Sequence, residues 1–168
     1  MPPAVDRVPA PEEPFWPDKE TLPSAEELKA RGVKLEMFCG RPGKELIYAA
    51  EGYGALPKTG YAWSGWSLPV YHARAGKEQV EIELSVPPGT AGLVRVCVID
   101  PDNFEGGRKQ VVNIADADVA TMTGFQEGKW IERRLNSEQT SSGKVLVRAT
   151  NARQGSNAVI SIIEWVEK

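Results

Sequence analysis

The 168-residue chain holds one histidine, His72, and only two cysteines, Cys39 and Cys97. A single imidazole leaves little room for a Ser/His/Asp triad or a histidine-rich zinc centre. Two cysteines permit at most one internal bridge. Cys97 sits inside a strand pattern as a small apolar residue, so two buried free thiols are expected ahead of a disulfide. Lys and Arg total 20 against 23 Asp and Glu, a net charge of −3, and the basic residues do not cluster. Nucleic acid, which demands a concentrated basic face, is therefore not an expected partner. No apolar run approaches the roughly 20 residues of a membrane span, so no membrane partner is expected either. The first residues carry no apolar signal core, so any signal peptide is expected to have been removed or never present. No glycine-rich phosphate loop occurs.

What the chain does contain is strand pattern. Hydrophobic residues make up 41% of the sequence, enough for a packed core in one domain. Val80, Ile82, Leu84 and Val86 alternate with Glu81, Glu83 and Ser85, which predicts a half-buried antiparallel strand. Pro87-Pro-Gly-Thr90 predicts a turn, and Val94, Val96 and Val98 the inward face of the next strand. Val111 to Ile114, Trp130 to Leu135, Val145 to Thr150 and Ala158 to Val166 read as four more, with Gly128, Gly143 and Gly155 at turns. Trp130 and Trp165 are expected in the core. One helix is predicted, Ser24 to Gly32, with Ser24 as cap, Glu27 completing a capping box and Gly32 as stop. Before it, prolines crowd residues 1–23, among them Pro9, Pro11, Pro14 and Pro17. They favour an extended linker or strap, with Phe15 and Trp16 expected to dock on the domain. The division is thus an arm and short helix over 1–32, then a β-sandwich over 33–168.

A motif order runs through residues 78–168. A strand ends in Asp100-Pro-Asp102. Gly106-Gly-Arg-Lys-Gln-Val111 follows, then an Asp-rich strand end (Asp116, Asp118), Phe125-Gln-Glu-Gly-Lys-Trp130, and Asn157-Ala-Val-Ile-Ser161. This order resembles the galactose-binding-like jelly-roll modules attached to secreted bacterial glycoside hydrolases. The resemblance covers roughly half the chain. It implies an all-β, antiparallel two-sheet jelly-roll sandwich, usually non-catalytic and often sugar-binding, in a secreted or periplasmic protein.

Candidate binding residues fall largely outside that order. Tyr53, Tyr61, Trp63 and Trp66 lie within 14 residues, among glycines that let the backbone turn sharply. Aromatic faces stack on the C–H face of a sugar while nearby polar groups bond its hydroxyls. Each Trp has an even claim to plugging the core instead. Asn151 and Arg153, in the loop before the last strand, could bond hydroxyls as well. In the same loop, Gly155 and Asn157 read as turn chemistry.

Asp100, Asp102 and Asn103, followed by Glu105, form a carboxylate-rich strand end that could hold a structural calcium. The calcium-loop signature is missing, and an Asp100–Arg108 ion pair accounts for the same residues more simply. No cofactor is required. Glu51, Asp100, Glu105 and Glu127 are the carboxylates a glycoside hydrolase would need. Nothing in the sequence sets two of them across a cleft.

The function expected is therefore a non-catalytic carbohydrate-binding or accessory module. Its partners would be a poly- or oligosaccharide and the catalytic domain of a larger polysaccharide-degrading enzyme. The alternatives are a structural or protein-interaction domain that packs on a catalytic domain, or a small sandwich-fold glycan hydrolase or lyase.

Overall fold

The computed structural model describes residues 22–41, 43–63, 73–100 and 107–167. Of the arm expected over 1–23, residues 1–21, with Phe15 and Trp16, lie outside the described residues. So do Trp66, His72, Asp102, Asn103 and Glu105.

One short helix opens the described chain: α1, Ala25–Ala30. Ser24 Oγ accepts from the Glu27 N–H at 3.1 Å, satisfying one of the donors a helix start leaves bare. Glu26 and Glu27 place negative charge at the positive end of the helix dipole. Gly32, at φ 77, ends it in the left-handed region expected of a stop. Leu28 is the helix's buried side chain and packs against Val33 and Val166.

After α1 the described residues are strand, turn and loop. The strands are β1 (Val33–Phe38), β2 (Leu46–Ala49), β3 (Gly54–Thr59), β4 (Tyr61–Trp63), β5 (Ala73–Gly76) and β6 (Gln79–Ser85). There follow β7 (Gly92–Val98), β8 (Gln110–Ile114), β9 (Ala117–Met122), β10 (Lys129–Leu135), β11 (Lys144–Asn151), β12 (Ala158–Ile160) and β13 (Ile162–Val166). Two five-stranded antiparallel sheets form the sandwich, in the orders β10-β7-β13-β1-β2 and β3-β6-β11-β8-β9. A small third sheet, β12-β5-β4, closes one end. The expected all-β sandwich with one short helix is what the chain forms.

Alternation explains the layers. Val80, Ile82 and Leu84 of β6, Val145, Val147 and Ala149 of β11, and Val94, Val96 and Val98 of β7 all face one shared core, together with Trp165 and Phe125. The single strand expected over Ala158 to Val166 is divided instead. β12 pairs with β5, and β13 inserts between β7 and β1. Ser161 is the crossing point: its N–H donates to Cys97 O and its carbonyl accepts from the Cys39 N–H, both at 2.9 Å. All nine residues of the run are buried, so no period-2 contrast marks the switch.

Cys39 and Cys97 are free and buried, as expected. Cys39 belongs to the core between the sheets, whereas Cys97 belongs to a cluster with Phe38, Trp130 and Ile162. That cluster lies on the outer side of the first sheet, where Leu22 packs on it. Opposite faces of one sheet cannot be bridged without moving the backbone.

The outer side of the first sheet also carries charge. Arg31 donates to both oxygens of Glu164, at 2.9 and 3.1 Å. Arg95 donates to Glu164 at 2.9 Å and to Glu132 at 3.1 Å, and its guanidinium stacks 4.5 Å from the centre of the Trp130 ring. Glu36 lies opposite Glu164 in the β1–β13 register, and both are 2% exposed. Burial, then the Glu164 carboxylate, pushes the Glu36 carboxyl well above the usual range. A side-chain hydrogen bond with Glu164 adds to the same shift, while Glu36 Oε2 is buried with no partner among the described residues.

Candidate functional site

The sandwich has two ends, and the strands sort the candidate residues between them. At one end β7 finishes, β8 begins, and the β11–β12 loop and β4 converge. Here Asp100 and Arg108 form the predicted pair. Arg108 Nε donates to Asp100 Oδ1 and the Arg108 N–H to Oδ2, each at 2.9 Å. Asp100 is 1% exposed and Arg108 7%. A buried pair of this kind ties the two chain segments together, and removing either partner would leave an uncompensated buried charge. Both Asp100 oxygens are thus engaged, and among the described residues no cluster of three metal-ligating side chains occurs.

Arg108 also links this pair to the next loop, donating to Asn157 O at 3.2 Å. Asn157 in turn donates from Nδ2 to the Tyr61 hydroxyl at 2.9 Å. Tyr61, on β4, is a large exposed aromatic, 48% exposed. Arg153 donates to Gly107 O. Asn151 turns inward: its Nδ2 donates to Lys77 O at 3.1 Å and Ser156 O at 2.6 Å, and its Oδ1 accepts from the Arg153 N–H at 3.1 Å. Tyr61, Arg153, Asn157 and the Asp100–Arg108 pair therefore share one edge, with Asn151 as the brace of its loop.

The backbone under Tyr61 is fixed from the side. Arg74 grips Glu45 through Nε and Nη2, at 2.9 and 2.8 Å, and reaches Gly60 O at 3.2 Å. Glu45 Oε1 also accepts from the Gly40 N–H at 2.6 Å. At Gly40 an added Cβ would stand 2.0 Å from Ala73 O, so only glycine lets β5 pass this close. Sequence reasoning missed Glu45, Arg74 and the side-chain role of Asn157. Their partners lie 29 and 96 residues away, and no local spacing signals them.

Tyr53 stands elsewhere. It precedes β3 whereas Tyr61 follows it. At ~3.3 Å per extended residue the two rings start roughly 25 Å apart. Tyr53 is half-buried against the core, and its hydroxyl donates to Glu167 Oε2, which also accepts from Trp165 Nε1 at 2.8 Å. Burial, then the Glu167 hydrogen bond, raises its phenol pKa and keeps it neutral. Trp63 ends β4 in register with Ala73; Trp66 lies outside the described residues. Of the carboxylates weighed for hydrolysis, Glu51 lies in the turn beside Tyr53, at the far end from Asp100. Glu127 is exposed in the turn before β10.

The two-sheet sandwich with a loop-built edge defines a class of fold seen in several solved structures. The ANXUR1 extracellular domain from Arabidopsis thaliana matches over 80% of this chain and 42% of its own, at 17% identity and a TM-score of 0.52. The plant receptor-like kinase ANX2 matches over 80% and 48%, at 10% identity and a TM-score of 0.53. The chain thus spans less than half the length of either. A family 35 carbohydrate binding module from Clostridium thermocellum is also similar. That module covers 69% of this chain and 91% of its own, at 14% identity and a TM-score of 0.39. No protein-family profile matches the sequence, and no curated protein sequence matches it.

Proposed function

We propose that this chain is a non-catalytic carbohydrate-binding module that takes a poly- or oligosaccharide at the Tyr61 edge. The observation that carries this reading is the exposed Tyr61 ring with its hydroxyl anchored by Asn157. A fixed, half-exposed ring loses little freedom when a pyranose stacks on it, and polar loop atoms lie beside it. Trp63 and Trp66, close along the chain, would extend the platform. The buried engagement of Asp100 by Arg108 supports binding over acid–base chemistry at this edge. In this reading the strand end carries the ion pair and no calcium. The module would be secreted or periplasmic and attached to a polysaccharide-degrading catalytic domain, which raises its effective concentration on the polymer.

Affinity electrophoresis and calorimetry over a panel of glycans test this. One glycan binds without turnover, EDTA leaves binding unchanged, and Tyr61→Ala weakens it about tenfold or more with the melting temperature preserved. Release of reducing ends would overturn the non-catalytic reading. Failure of every glycan to bind would favour the second reading, a protein-interaction domain. That reading draws on Leu56, 57% exposed on β3 at the edge of its sheet.

A further inference from the structure

The opposite end of the sandwich holds a cavity of about 620 Å³, within the roughly 300–1,000 Å³ range of small-molecule sites. Its lining includes Lys34, Arg134, Asn136, Gln139 and Glu167, over a floor that contains Gly92. Gly92 is required there: a Cβ would stand 2.4 Å from the Trp165 indole.

Arg134 is set apart from every other described arginine. Arg31, Arg74, Arg95, Arg108 and Arg148 each hold a carboxylate. Arg41, Arg133 and Arg153 donate to backbone carbonyls. Arg134 does neither among the described residues, although acids outnumber bases in this chain. Lys34, across the cavity lining, likewise has no acidic partner there.

The amides point to the same chemistry. Asn136 Oδ1 accepts from the Gln139 N–H at 2.9 Å, and Gln139 Oε1 accepts from the Asn136 N–H at 2.8 Å. Each amide oxygen is engaged by a backbone N–H, which fixes the side chain and leaves its NH₂ group as the uncommitted donor. The one carboxylate of the lining, Glu167, already accepts from Tyr53 and Trp165 through Oε2. The cavity therefore presents two cations and two amide donors against one acid, whose Oε2 is taken by Tyr53 and Trp165.

We infer that this cavity is a second binding site, for an oxyanion group (carboxylate or sulfate) on a small ligand, with Arg134 as its principal contact. A guanidinium presents paired N–H donors that match two oxygens of such a group, and Lys34 and the amides supply the remaining bonds. The site lies at the far end from Tyr61 and does not depend on glycan binding there.

Titration of the full chain with sodium sulfate, a hexuronic acid and the neutral hexose of the same ring tests the assignment. Side-chain amide NMR signals of Asn136 and Gln139 provide the readout. One or both anions shift these signals saturably, the tighter one identifying the preferred oxyanion, and the neutral sugar does not. Arg134→Ala, on an exposed side chain, weakens the anion about tenfold or more without changing the melting temperature. Lys34→Ala acts in the same direction. The assignment fails if neither anion shifts those signals, if the neutral sugar shifts them equally, or if Arg134→Ala binds as the native chain does.

Discussion

Glu36 shows how a single side chain sets the pH response of the sandwich. Three carboxylates (Glu36, Glu132, Glu164) share two guanidiniums (Arg31, Arg95), so one carboxyl does best by keeping its proton. Because the folded pKa of Glu36 lies above its unfolded value of about 4.3, the unfolded chain releases this proton first as pH rises. Its contribution to stability is fully present below the unfolded pKa and is lost as pH climbs from there through the folded pKa. Glu36→Gln, a neutral isostere, removes that loss. The variant should melt higher than the native chain at neutral pH, converge with it in acid, and show a flatter curve of melting temperature against pH. Equal slopes for the two proteins would contradict the proton-holding role. At this same scale, the Asp100–Arg108 pair could be read from sequence because its members lie only eight positions apart. The Tyr61–Asn157 bond could not, because only the completed fold brings those residues together.

Between elements, one side chain does the work of a strand. Gln110, fully buried, donates from Nε2 to Val159 O and accepts through Oε1 from the Val159 N–H, both at 2.8 Å. It thereby supplies β12 with the pair of bonds a backbone neighbour would give. Gln110→Leu keeps volume and leaves two buried backbone groups bare, a cost of about 2–4 kcal/mol that chemical denaturation would read directly. The β12–β13 break is the matching lesson in legibility. β6, β7 and β11 declared themselves by alternation because one face is buried and the other half-exposed. The last strand is buried on both sides and shows no alternation, so its switch of sheet at Ser161 was invisible. The hairpin between β8 and β9 is similar. Ala115 and Asp116 both take positive φ, at 51 and 64, which an Ala-Asp pair does not advertise.

For the molecule as a whole, separation along an extended chain proved more informative than nearness in sequence. Tyr53 and Trp66 lie within 14 residues, which suggested one aromatic surface. β3 runs between Tyr53 and Tyr61, and an extended strand carries its two flanks to opposite ends of a sandwich. One ring is left as a candidate platform and the other as a brace for Trp165 through Glu167. The same geometry divides the polar loops into the Tyr61 edge and the Arg134 cavity, which can be tested independently. The fold class followed from turn spacing and alternation, which are local. The sites followed from which ends the loops share, which is a property of the assembled sheets.

The placement of the two thiols gives the protein an internal clock for loosening. Cys97 is shielded by the packing around Leu22 on the outer side of the first sheet, and Cys39 by the whole sandwich. A thiol reagent at low denaturant should therefore capture Cys97 first, at a rate set by local lifting of the Leu22 segment. Cys39 should follow only at the rate of global unfolding. Mass spectrometry of the singly labelled species would assign the order. Simultaneous labelling would mean that the outer covering and the core open as one unit.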